Sequence, residues 1–120
     1  MRKLIVSSAT LACMALLVAL PVHAQSAAPL TVAAMVENQV CLSKDFVQVT
    51  YSAMATSDSQ PVGFRWDFNN DGKLDTRLTT DPSAVRIFAD ESLVTSKVLA
   101  INKAGERAQD SIAFATLKCK

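Results

Sequence analysis

The stretch Val62-Gly63-Phe64-Arg65-Trp66-Asp67-Phe68-Asn69-Asn70-Asp71-Gly72-Lys73-Leu74-Asp75 decides the fold. Its first half alternates. Val62, Phe64, Trp66 and Phe68 fall on one side, with Gly63, Arg65 and Asp67 on the other. That period of two is the mark of a strand with one apolar face. Trp66 shares the face of three other apolar residues, so it reads as core rather than as a stacking platform for sugars. The second half holds Asp67, Asn69, Asp71 and Asp75 around Gly72, the composition of a tight turn.

Working outward, the same signal recurs. Strands are predicted over 30–36, 46–55, 62–68, 74–78, 85–88, 93–101 and 111–117. Polar clusters such as Thr56-Ser57-Asp58-Ser59-Gln60-Pro61 and Asn102-Lys103-Ala104-Gly105 separate them. Seven short strands with turns about every ten residues indicate an all-β, antiparallel seven-stranded β-sandwich, with a barrel as the structural alternative. In the predicted strand 93–101, Val94, Val98 and Ala100 face inward and Leu93, Leu99 and Ile101 outward. Together with Ala113 and Ala115 of the last strand, the outward set forms a candidate apolar interface.

The N-terminus reads as an address. Arg2 and Lys3 precede an apolar run from Leu4 to Leu20, and Val22 and Ala24 fit a signal-peptidase site, so residues 1–24 are expected to be cleaved. Retention as an anchor and a lipoprotein site at Cys13 are the alternatives. Residues 25–29 form a flexible leader and 30–120 the domain, with no membrane span after cleavage. Cleavage leaves ten basic and eleven acidic residues, a balance that gives no electrostatic reason to bind nucleic acid. It also removes His23, the only histidine, and with it Ser-His and Cys-His catalysis and His-ligated zinc. Cys41 and Cys119 remain. In an exported chain this even pair is expected to be a disulfide rather than a redox or metal pair. With strands reversing in turn, both cysteines and the acidic turn fall at one pole of the sandwich.

The turn itself matches five positions of a calcium loop. Asp67, Asn69, Asp71 and Asp75 would supply side-chain oxygens, Lys73 a backbone carbonyl, and Gly72 the bend. Leu78 stands where such a loop places its bidentate acid. The competing reading is an Asx-rich turn whose side chains cap backbone amides, Asp67 foremost. Asp71 and Asp75 as a glycosidase acid and base is a poor fit to so small a domain, so the chain is read as non-enzymatic.

Phe64-Arg65-Trp66-Asp67-Phe68, followed by an Asn/Asp/Gly turn, resembles the hallmark of the PKD (polycystic kidney disease) domain, an immunoglobulin-like sandwich. Pro82, the strand ending at Phe88, the strand through Ala100 and Asn102-Lys103-Ala104-Gly105 follow the same order as in that family. The resemblance covers about residues 30–118. Ser92 stands where glycine is usual, and Ser96 and Ala100 where valine is frequent. The resemblance implies an immunoglobulin-like fold, a periplasmic or secreted location, and a binding or spacer role toward a protein or surface glycan. A calcium-dependent adhesion module and an accessory subunit of a secreted enzyme are the alternatives.

Overall fold

The computed structural model describes residues 29–120 and is all-β across them. The leader and signal-peptide readings concern residues that lie almost wholly outside this range. Six strands are present: β1 (Thr31–Cys41), β2 (Phe46–Thr56), β3 (Val62–Asp67), β4 (Ser83–Ala89), β5 (Leu93–Asn102) and β6 (Arg107–Ala115). They form two antiparallel three-stranded sheets, ordered β1-β2-β4 and β3-β5-β6. No helix among the described residues is long and apolar enough to cross a membrane.

The expectation of seven strands is corrected to six. Residues 74–78 form no strand, and the only bridge there joins Phe64 to Thr79. The segment nevertheless runs along the free edge of β3. Phe64 and Thr79 exchange backbone bonds (2.7 and 3.2 Å), and the Asp75 amide donates to the Trp66 carbonyl (2.7 Å). Side chains complete the edge: Trp66 N–H donates to Thr76 Oγ1 and Phe68 N–H to Asp75 Oδ2, both at 2.9 Å. Short oxygen-bearing side chains reach the amides here, so β3 is satisfied without a regular ladder.

The core lies between the sheets. Val47, Val49, Tyr51 and Ala53 of β2 meet Val62, Phe64 and Trp66 of β3, with Phe68 just beyond it and Val98 and Ala100 of β5. Each set is the apolar half of an alternating strand. Trp66 is 1% exposed, as expected of a core residue. Its ring lies 5.0 Å from that of Tyr51 and stacks on Phe68 at 6.0 Å. Tyr51 also meets Phe114 edge-on, so rings from both sheets interlock. In β5, Val94, Val98 and Ala100 are buried and Leu93 is exposed, as the alternation predicts.

One face departs from expectation. Gly63 and Asp67, on the far side of β3, are buried as well. Leu78 lies over Gly63, where a Cβ would sit 2.8 Å from its Cδ1, and Asp67 is enclosed by its own turn, whose Asp71 and Gly72 amides bond to it.

Ser96, where an apolar residue would fit, has a polar task. Its hydroxyl donates to the Phe68 carbonyl (2.6 Å) and accepts from the Tyr51 hydroxyl (2.7 Å). This buried chain ties β2 to β5. Burial pushes the Tyr51 phenol above its ordinary range, which keeps it a donor.

Cys41 and Cys119 form a disulfide with Cα atoms 5.8 Å apart. Around it, the Asp90 amide donates to the Asp45 carbonyl and the Glu91 amide to the Leu117 carbonyl. The β1–β2 connection, the β4–β5 turn and the tail therefore meet at one pole. The turn after β3 lies at the same end, where Phe68 is held by Ser96.

Candidate functional site

Two groups of residues single themselves out in the sequence: the acidic turn, and the outward apolar residues of β5 and β6. The structure gathers the first group tightly. Asp67 is 2% exposed at the end of β3. Its Oδ1 accepts the Asp71 amide (3.2 Å) and its Oδ2 the Gly72 amide (2.9 Å). Asp71 Oδ1 accepts the Lys73 amide (2.9 Å), and Asp75 Oδ2 the Phe68 amide. With its side-chain amide turned so that the nitrogen faces the carboxylates, Asn69 donates to Asp67 Oδ1 (3.1 Å) and Asp71 Oδ1 (3.2 Å). Asn70 and Gly72 both adopt positive φ, which the small polar side chain and the glycine allow.

The turn is thus a nest of carboxylates, each engaged by at least one backbone N–H. The Lys73 amide, more than any other group, holds the Asp71 carboxyl below its ordinary range. Among the described residues no group of three or more His, Cys, Asp or Glu side chains is arranged to hold a metal ion. The turn's acids are gathered round backbone donors. Lys73 is exposed, with its amide turned toward Asp71.

Asp67 is the keystone of the turn, because it is buried and receives two amides. Replacing it with alanine is expected to lower unfolding stability by about 2 kcal/mol, since two N–H groups lose a charged acceptor. Asn at the same position, which keeps one acceptor, is expected to lose less. Urea unfolding of both variants measures the difference; equal losses would contradict the capping role.

The second group is brought to one sheet face but not into one patch. Leu93 pairs with Ala115, Thr95 with Ala113, Lys97 with Ser111 and Leu99 with Gln109. All of these point outward, so the polar row of Lys97 and Ser111 divides the apolar residues into two clusters. At the disulfide pole Leu93, 90% exposed, stands beside Ala113 and Ala115. At the far pole Ile101 joins a shallow groove of about 440 Å³ with Pro61, Gly63, Leu78, Thr79 and Lys103. Leu99 lies between the two, half-buried beside Arg107 and Gln109.

The other sheet carries a surface that strand alternation alone could have flagged. On the outer side of β1-β2-β4, Val40, Phe46, Met54, Val85 and Ile87 are each about half exposed. The remaining paired outward positions are Thr31, Ala33, Met35, Asn38, Gln48, Thr50, Ser52, Thr56, Ser83 and Ala89. None of these bears a charge. The signal is an outward row in each strand that lacks Lys, Glu, Asp and Arg, apart from the exposed Glu37 at the β1 bulge.

No family model matches the chain, and no curated protein matches it significantly.

Proposed function

We propose that this protein is an exported, non-enzymatic binding module with an immunoglobulin-like, PKD-like sandwich fold, which holds a protein or surface-glycan partner against its outer sheet faces. One observation carries the reading: Leu93, 90% exposed on the outer face of β5, stands beside Ala113 and Ala115 at the stapled pole. An aliphatic side chain so fully presented on a rigid strand suits docking. The disulfide supports export, since such bonds persist in oxidising compartments. The acids of the turn serve the backbone, which leaves them poorly suited to acid–base chemistry.

The reading is tested with a photo-crosslinking residue at position 93 in exporting cells, and a control at Asp58. A discrete adduct at position 93 and none at Asp58 is the expected result, and its mass shows whether the partner is a larger enzyme served by an accessory subunit. No adduct at positions 93 and 113 would overturn the reading.

A calcium-dependent adhesion or structural module is the second reading. It is favoured by the side-chain amide of Asn69 lying within 3.2 Å of both Asp67 Oδ1 and Asp71 Oδ1. A cation there would turn the Asn69 carbonyl inward and take the place of its N–H donors. On this reading millimolar calcium raises the melting midpoint; an unchanged midpoint removes it.

A further inference from the structure

We infer that two copies of this chain associate through the free edge of β4, joining their β1-β2-β4 sheets into one antiparallel six-stranded sheet. The inference is independent of the partner-binding role. β4 pairs with β2 on one side, and no strand among the described residues pairs with its other side. The hydrogen bonds that flank the pairing settle which groups are left over. Ala53 N–H donates to the Pro82 carbonyl and Asp90 N–H to the Asp45 carbonyl, so even-numbered residues of this stretch face β2. The N–H and C=O groups of Ser83, Val85, Ile87 and Ala89 therefore point away from β2. The Ser83 N–H donates to Asp81 Oδ1 and the Ala89 carbonyl accepts from Thr116 Oγ1, so the groups left over are those of Val85 and Ile87, the Ser83 carbonyl and the Ala89 N–H. An unpaired edge of this kind is a template for another strand.

The occupant that fits is the same edge from a second copy. Under a two-fold axis, every hydrogen bond made across the edge is repeated by its symmetry mate. The outward side chains of β4 are uncharged, and Val85 and Ile87 are 53% and 51% exposed. Within one molecule they border a polar row, with Val85 opposite Thr50 and Ile87 opposite Gln48. Edge pairing sets the two apolar rows side by side. A seven-residue edge is only about 23 Å long, so the contact is small and the association weak and reversible.

Arg86 selects the register. It is the one charge on β4, and its guanidinium lies 5.3 Å from the centre of the Phe68 ring. Centring the axis on Arg86 would satisfy every open backbone group, but it sets two guanidinium groups directly opposite at the closer type of pair. Centring on Ile87 forfeits the Ser83 carbonyl of each chain and has the Val85 N–H share the Ala89 carbonyl with the Thr116 hydroxyl. It sets Arg86 against Phe88 of the second copy and Val85 against Ala89. The Ile87 Cα atoms then lie about 5.5 Å apart, within disulfide reach.

The test is sedimentation equilibrium of the purified protein together with two cysteine variants on non-reducing gels. Wild type is expected to gain mass toward two chains as concentration rises. Ile87→Cys is expected to form an interchain disulfide, while Val85→Cys stays monomeric. Ile87→Lys is expected to weaken association at least ten-fold, whereas Met54→Lys, on the same face but away from the edge, leaves it unchanged. Melting midpoints near wild type establish that the lysine variants are folded. A single-chain mass at every concentration, crosslinking at position 85 instead of 87, or loss of association in Met54→Lys but not Ile87→Lys would each overturn the inference.

Discussion

Trp66→Ala is expected to destabilise the domain by about 3–5 kcal/mol, the range for truncating a large aromatic in a packed core. The residue is 1% exposed and touches the rings of Tyr51 and Phe68. Those rings are held in turn by Phe114 of β6 and by the Tyr51–Ser96–Phe68 hydrogen-bond chain. The hole therefore opens where the two sheets meet, and neighbours so constrained cannot close it. Marginal natural stabilities make a loss of this size visible as partial unfolding at room temperature. Trp66→Phe separates volume from polarity. The indole N–H is buried and meets no protein acceptor. Its removal forfeits no protein hydrogen bond, so Phe is expected to lose much less than Ala. Denaturant midpoints at constant slope measure both, and equal losses would show that the site depends on the indole N–H rather than on packing.

Replacing Cys41 and Cys119 together with alanine is expected to cost about 4 kcal/mol, because the bond closes a long loop in the unfolded chain. The two residues are 78 apart in sequence. The contribution acts mostly on the unfolded state, so the strands should keep their pairing when the variant is folded. Far-ultraviolet circular dichroism unchanged at low temperature, with a much lower melting midpoint, is the expected pair of results. A midpoint within a degree or two of wild type would mean that the pole is held by its hydrogen bonds alone, such as that donated by the Cys119 amide to Asp90 Oδ2.

Alternation made the two-sheet core legible before any coordinates. Val47, Val49 and Tyr51 of β2 and Val94, Val98 and Ala100 of β5 face inward as read. The pairing of Cys41 with Cys119 was legible for a different reason: only two cysteines follow the leader, and strand reversal puts them at one end. The seventh strand was misread because Leu74 to Leu78 has strand-like composition. Composition does not reveal that Thr76 and Asp75 would bond to β3 through their side chains. The burial of Gly63 escaped notice because a period-two pattern assigns each face without asking what a following loop lays over it.

The turn was legible as to place but open as to chemistry, since the same Asp and Asn residues suit a cation or a set of amides. Burial of Asp67, with both oxygens receiving N–H groups, is a property of the folded turn. The outer row of β1-β2-β4, with Glu37 at the β1 bulge as its one charge, follows from the same alternation.

The contact between the first strand and the last has a consequence for the order of assembly. The Ala34 amide of β1 donates to Asp110 of β6, Gln39 bonds to Ala115 and Leu117, and Cys41 closes on Cys119. All these partners arrive after β5 has been made. During synthesis β1 and β2 can pair early as a hairpin, yet the side of β1 that β6 will cover must wait. The covalent bond therefore cannot guide the earlier pairings; it records them. Long-range closure of this kind makes for slow folding, and it places the final lock at the moment the last strand docks.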